Sequence, residues 1–173
     1  MVGAPSPLEF IQSTFESVPA LRNHSQRKLL ELISIYLAKM ALHHPDLYSK
    51  SASQIAASSI FVANKIFEQM IMIKATDAGL QKEQVSHLEV NFLIDLLSRD
   101  SFVSPSRQIY QFSSPGKLSP PKVDSKRVSE LIDNSKRLLS LAQNFESEMP
   151  GLKHLQSLYM PKIEEMVAEV NLQ

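Results

Sequence analysis

The sequence predicts an all-α protein, and three observations support that prediction. Apolar residues recur at intervals of three and four along most of the chain, which is helical spacing. No stretch alternates apolar and polar residues as a half-buried strand does. Two helical segments begin with a capping box, in which serine is followed three residues later by Glu or Gln. A chain of 173 residues is long enough for one such domain with extensions.

The first two helices are predicted before residue 44. The first begins with the capping box Ser6-Pro7-Leu8-Glu9, in which proline takes the first helical position, and Pro19 ends it. The second runs from about 25 to 43. Its apolar residues, which include Tyr36 and Met40, leave little polar face. A helix that is apolar on most sides is surrounded by other helices, so we place both residues in the core.

The third predicted helix combines small and large apolar residues. It begins with the capping box Ser51-Ala52-Ser53-Gln54 and continues to about Phe67. Small side chains let neighbouring helices approach closely, while each large one that is buried contributes about 1.5–3 kcal/mol. We therefore expect this helix to be the enclosed centre of the domain. Its predicted core residues are Ile55, Ala56, Ala57, Ile60, Phe61 and Ala63.

After a link over residues 70–81, a fourth helix is predicted from about 82 to 98. Phe92 and Leu96 lie in its apolar stripe and are assigned to the core. Residues 99–125 are rich in serine and proline and poor in aliphatic residues. That composition predicts a loop or a disordered insert.

Helical periodicity resumes over residues 126–173 and is broken at Pro150-Gly151, with a bend expected at Pro161. The chain thus divides into a four-helix domain at 1–98, an insert at 99–125 and C-terminal helices at 126–173. These last helices either complete the domain as its fifth helix or form a surface hairpin that holds a partner helix in a groove.

Composition narrows the classes of function. Basic and acidic residues number 18 each, and a net charge of zero argues against nucleic acid as a partner. A clear basic excess, a net charge of +4, occurs only over residues 101–127. The absence of cysteine excludes disulfides and thiolate metal sites. The first residues lack the basic start and the apolar run that are typical of a signal peptide, and no apolar run approaches about 18 residues. We expect an intracellular protein of the nucleus or cytoplasm, without a membrane partner.

Several stretches of the predicted helices resemble the C-terminal box of cyclins. Residues 36–42 and the short aspartate-containing turn at 46–48 are similar to the end of a long second helix in that box. Residues 53–66, with the pattern Ser-x-Ile-Ala-Ala, are similar to its third helix, and 6–10 to the start of its first. The similarity covers roughly residues 6–98.

The resemblance implies a cyclin-like five-helix box with a long insert and extra C-terminal helices. It further implies a regulatory protein that binds a cyclin-dependent kinase or a related protein subunit. In the family an N-terminal box supplies most of the kinase contact, and the similarity here covers the C-terminal box only. The alternative is therefore a structural or scaffold subunit of a larger assembly that keeps the fold without regulating a kinase.

Three serines of the insert, Ser104, Ser114 and Ser119, lie in the motif Ser-Pro-x-Arg/Lys. The motif resembles the sequence that cyclin-dependent kinases prefer, in which proline follows the target serine and a basic residue lies three places after it. It therefore predicts phosphorylation of these serines. Each phosphate adds about −1.5 to −2 charges, so three would reverse the charge of the insert. Composition alone also produces such matches, and similar repeats in some histone tails bind the DNA minor groove. Four net charges would make that binding weak and strongly salt-dependent.

The sequence gives no support for an enzyme, a cofactor or a small-molecule substrate. It has no Gly-rich phosphate loop, no Gly-x-Ser-x-Gly and no His-Glu-x-x-His. His43, His44 and Asp46 are close in sequence, but adjacent helical residues point about 100° apart, unlike the i, i+4 pair of a helical zinc site. We interpret these histidines as helix-terminal residues that offset the helix dipole and expect no metal site.

Overall fold

The computed structural model describes residues 3–77 and 125–170. All regular structure in these two ranges is helical, which confirms the predicted all-α class for the described part of the chain. The predicted helix at 82–98 and residues 99–124 of the predicted insert lie outside it. The helices are α1 Pro7–Ser17, α2 Pro19–Arg22, α3 Arg27–Leu42, α4 Ala52–Asp77, α5 Ser125–Gln143, α6 Phe145–Glu148 and α7 Lys153–Glu169, with a 3₁₀ turn at Pro150–Leu152.

Ser6 caps α1 as predicted. Its side-chain oxygen accepts a hydrogen bond from the Glu9 backbone N–H at 3.3 Å, and the Glu9 carboxylate accepts one from the Ser6 backbone N–H at 2.6 Å. The bond from the Ser6 backbone, followed by that from its side chain, lowers the pKa of Glu9 below its ordinary value. The helix ends at Ser17, and Pro19 takes the first position of α2 rather than only terminating α1.

The predicted capping box of α4 is also present, but the predicted end of this helix is wrong. The Gln54 side chain accepts a hydrogen bond from the Ser51 N–H at 3.1 Å, and the Ser51 hydroxyl accepts one from the Gln54 N–H at 3.3 Å. Residues 70–77, assigned to a link, are helical and extend α4 to 26 residues. No glycine or proline occurs between Ala52 and Asp77, so nothing local stops the helix.

The C-terminal helices differ from the sequence prediction in where they break. α5 ends at Gln143, and the four-residue α6 follows before Pro150 begins the 3₁₀ turn, so the break comes earlier than Pro150-Gly151. Pro161 lies inside α7, and the helix continues on both sides of it. Ile132, which the apolar stripe of α5 includes, faces solvent, whereas Leu138 and Leu141 are fully buried.

α4 is the central helix of the described structure. It packs against α3, α5 and α1, and α3 also contacts α1 and α7. Phe61 is half-buried rather than in the core, because it shares a helix face with the exposed Lys65, whose Nζ lies 5.9 Å from the ring centroid. Phe92 and Leu96 lie outside the described residues. The other predicted core residues are buried, namely Tyr36, Met40, Ile55, Ala56, Ala57, Ile60 and Ala63.

α7 contacts the core through a pair of tyrosines, Tyr36 on α3 and Tyr159 on α7. The rings of Tyr36 and Tyr159 are both buried and lie 5.6 Å apart between centroids. Lys39 Nζ lies 5.1 Å from the centroid of the Tyr159 ring, a cation–π contact. Leu155 and Ile163 of α7 are buried in the same core, so the C-terminal helices pack with the N-terminal ones.

Candidate functional site

The distinctive feature of the core is the small-residue surface of α4. Ala56 and Ala57 expose only 1% and 3% of their surface, and Ala63 exposes none. Alanine at these positions lets α1, α3 and α5 approach the α4 backbone on three sides. Any larger side chain there would have to displace a neighbouring helix, so the close packing restricts these three positions to small residues.

A group of polar side chains joins the turn after α3 to α5 and α6. We name this group, which consists of Arg137, Asp46, Glu148 and His44, the Arg137 cluster. Arg137 Nε donates to Asp46 Oδ2 at 2.9 Å, while Nη1 and Nη2 donate to Glu148 Oε1 and Oε2 at 3.2 and 2.9 Å. The bidentate bond to Glu148, followed by that to Asp46, raises the pKa of Arg137.

His44 completes the Arg137 cluster from the α3 side. Its ring is buried, and Nδ1 accepts a hydrogen bond from the Asp46 backbone N–H at 3.2 Å. The other ring nitrogen, Nε2, lies 3.3 Å from Arg137 Nη2 and 3.8 Å from Glu148 Oε2. His43 is exposed, so the two adjacent histidines point in different directions, as expected. Only His44 has a structural role beyond the helix terminus.

The contact between α4 and α5 contains both paired and unpaired polar groups. At one end of this contact, Gln54 Nε2 donates a hydrogen bond to Glu130 Oε2 at 3.0 Å. Ser58 Oγ and Asn134 Nδ2 are buried beside it without a hydrogen-bond partner. Both residues line a cleft of about 10 Å³, together with Ala41, Leu47, Lys50, Gln54, Ile55 and Leu138.

The cleft between α4 and α5 is too small for a substrate. A volume of about 10 Å³ accommodates roughly one water molecule. In residues 3–77 and 125–170, no group of three His, Asp or Glu side chains is placed to hold a metal ion. The chemistry that these side chains offer is therefore hydrogen bonding and packing between helices.

Lys74 links the far end of α4 to the end of α7. Its Nζ donates to the backbone oxygens of Val167, Ala168 and Val170 at 3.0, 2.9 and 2.6 Å. The last carbonyl groups of a helix have no partner within the helix and carry a partial negative charge. The ammonium group of Lys74 satisfies these groups from outside and so joins the end of α7 to α4.

Sequence reasoning missed Arg137 and Lys74 as side chains that join separate helices. Both are ordinary basic residues of helices, and Arg137 binds Asp46 from 91 residues away while Lys74 binds carbonyl groups 93 to 96 residues away. No local pattern marks such contacts. The predicted phosphorylation sites Ser104, Ser114 and Ser119 lie outside the described residues.

Several large apolar side chains reach the surface of the described structure. Leu42 and Tyr48 flank the turn between α3 and α4 and are 40% and 64% exposed. Others are Met72, Ile73, Ile132 and Leu158. In the ranges that the structure covers, no helix is both long and apolar enough to cross a membrane.

Fold and site together define an all-helical protein built around an enclosed small-residue helix, with polar contacts that join its helices. Comparisons of the chain with protein-family models, with curated proteins and with solved structures gave no match. The resemblance to cyclins therefore rests on the residues quoted above.

Proposed function

We propose that this protein is a cyclin-like regulatory protein that binds a cyclin-dependent kinase, or a related protein partner, through its helical box. The observation that carries the proposal is the enclosure of α4. The segment that resembles the third helix of a cyclin box is the helix that α1, α3 and α5 surround. Had Ala56 and Ala57 faced solvent, the resemblance would have lost its physical basis.

The character of the described surface also supports binding. The cleft between α4 and α5 holds no substrate-sized space, whereas apolar side chains such as Leu42 and Tyr48 are exposed beside the α3–α4 turn. Exposed aromatic and aliphatic residues provide contact area that a protein partner can bury.

Direct binding to purified kinases tests the proposal. The full chain is immobilised, and cyclin-dependent kinases are passed over it one at a time while the bound mass is recorded. We expect saturable binding of at least one kinase above a blank surface. If no kinase of the panel is retained above the blank, the regulatory function is wrong.

A matched pair of variants shows whether any binding requires the helical box. Ala57→Asp places a carboxylate in the core, where an unpaired charge is not tolerated, so we expect loss of both the fold and the binding. Ala168→Asp makes the same change at an exposed position of α7 and should retain both. Equal binding by the two variants would show that the kinase contacts a segment other than the box.

The alternative function, a scaffold subunit without kinase regulation, is favoured by the extent of the resemblance. It covers the C-terminal box only, whereas the family takes most of its kinase contact from the N-terminal box. Kinase activity on a Ser-Pro peptide, measured with and without saturating chain, separates the two functions. A scaffold leaves the rate unchanged even where the chain is retained in a larger assembly.

Phosphorylation of the Ser-Pro motifs is part of the proposal. Incubation of the full chain with a cyclin-dependent kinase and ATP, followed by mass spectrometry, should place phosphate on one or more of Ser104, Ser114 and Ser119. A variant with alanine at all three positions should lose that label. Equal labelling of this variant would exclude these serines as the sites.

A further inference from the structure

We propose that Ser129, in the second turn of α5, is a phosphorylation site for a kinase that selects basic residues before its target serine. The inference uses residues that the structure describes and does not depend on the resemblance to cyclins. It concerns a different serine and a different class of kinase from the Ser-Pro motifs.

The sequence around Ser129 provides the recognition element. Lys126 and Arg127 lie three and two residues before it, in the pattern Lys-Arg-x-Ser. Kinases that select this pattern pair the two cations with acidic side chains of their peptide groove, which fixes the serine hydroxyl at the reacting centre. Proline does not follow Ser129, so a proline-directed kinase would not select it.

The structure leaves this recognition element on the surface. Lys126, Arg127 and Ser129 are all exposed, and they lie in the first five residues of α5. A kinase binds its substrate as an extended peptide, so the helix has to unwind locally around Ser129.

Ser140 provides a comparison within the same helix. It also follows a basic pair, since Lys136 and Arg137 lie four and three residues before it. However, Ser140 is half-buried, whereas Ser129 is exposed. A kinase therefore has less access to the hydroxyl group of Ser140.

The reaction is a phosphoryl transfer from ATP. The Ser129 hydroxyl oxygen forms a bond to the γ-phosphorus, and the bond from that phosphorus to the β,γ-bridging oxygen breaks. ADP leaves with the bridging oxygen, and the hydroxyl proton passes to a carboxylate of the kinase. The product carries about −1.5 to −2 charges at position 129.

The new charge lies between charged neighbours on α5. Asp133, four residues later, repels the phosphate, whereas Lys126, three residues earlier, attracts it. Glu130, the acceptor for Gln54 of α4, is the adjacent residue and points to a different face of the helix. Phosphorylation therefore replaces a neutral hydroxyl with an anion on the exposed face of α5.

The test incubates the folded full chain with ATP and the catalytic subunit of the cyclic-AMP-dependent kinase, a probe that selects this pattern. Mass spectrometry then follows each serine over time. We expect phosphate on Ser129, at a rate about tenfold above that on Ser140, and a similar fall in rate for Arg127→Gln. Ser147→Ala, at an exposed serine that has no basic residue among the five before it, should leave the rate unchanged.

Three results would overturn the inference. They are no label on Ser129, equal rates on Ser129 and Ser140, or a rate that Arg127→Gln does not change. Circular dichroism of each variant checks that the helices are retained.

Discussion

At His24, burial and hydrogen bonding favour the same protonation state. The half-buried ring meets the Phe67 ring edge-on, with 5.8 Å between centroids. Nδ1 accepts a hydrogen bond from the Gln26 backbone N–H at 3.0 Å, which only an unprotonated nitrogen can do. Burial lowers the pKa of His24 below its ordinary value of 6.5.

We expect His24 to make the protein less stable as the pH falls from about 7.5 to 5.5. Its folded-state pKa lies below the unfolded value of 6.5, so the unfolded chain takes up the proton first and acid favours unfolding. Urea-unfolding midpoints at the two pH values measure the effect. His24→Gln should reduce the difference between them, and His154→Gln, at an exposed position, should not. An equal difference in both variants would contradict the prediction.

Ser59 lies in the core of the protein without a hydrogen-bond partner. Its side chain is fully buried on α4, and its hydroxyl oxygen contacts no donor or acceptor. Burial of an unpaired hydroxyl opposes folding, so Ser59→Ala should raise the free energy of unfolding by about 1 kcal/mol. Ser157→Ala, at an exposed helical position, corrects for the higher helix propensity of alanine. Equal effects in the two variants would show that burial of the Ser59 hydroxyl carries no penalty.

At the scale of helices, the starts of α1 and α4 could be predicted better than their ends. Each capping box is contained in four consecutive residues, so the sequence holds the complete signal. The continuation of α4 past Phe67 carries no such signal, and there Lys74 binds carbonyl groups of α7 that the fold alone brings close. A local pattern therefore predicts a helix start better than it predicts how far the helix continues.

The Arg137 cluster could not be predicted for the same reason. Within α5, Arg137 differs little from Lys136 before it, and Asp46 belongs to the turn after α3. Phe61 was predicted to be buried because it is apolar, but it lies on a face of α4 that is partly exposed. Residue type and spacing predicted the class of fold and most of the core, but not the polar contacts between helices.

Arg137→Gln tests whether the Arg137 cluster stabilises the packing of α5 and α6. The guanidinium is partly exposed, so we expect a loss of about 1 kcal/mol in the free energy of unfolding at low salt. The loss should shrink in about 1 M salt, where charges are screened beyond about 3 Å. Lys136→Gln, an exposed neighbour, serves as the control in urea unfolding. Equal losses at both salt concentrations would mean that packing, rather than charge, is the source.

For the molecule as a whole, α4 is the helix around which the other described helices pack. Helices from both described ranges surround it, so residues 125–170 share a core with residues 3–77. The proposed kinase-binding function and the resemblance to a cyclin box both require this arrangement. Neither of them depends on any single residue of the described structure.

Ala57→Leu tests the enclosure of α4. Added atoms at a position with 3% exposure have no space, so we expect the free energy of unfolding to fall by about 2 kcal/mol. Ala168→Leu makes the same change at an exposed position and should alter stability by less than about 0.5 kcal/mol. Thermal or urea unfolding followed by circular dichroism measures both. Equal stability of the two variants would show that α4 has an open side at Ala57.

The tyrosine pair between α3 and α7 has a practical consequence for spectroscopy. The chain contains four tyrosines and no tryptophan, so its near-ultraviolet signals arise from tyrosine and phenylalanine. Tyr36 and Tyr159 sit in a fixed, chiral surrounding, and burial raises the pKa of Tyr36. If the near-ultraviolet dichroism vanishes while the far-ultraviolet helical signal persists, the fixed packing around these rings is lost before the helices melt. The tyrosine pair thus contributes a native optical signal of the packing between α3 and α7.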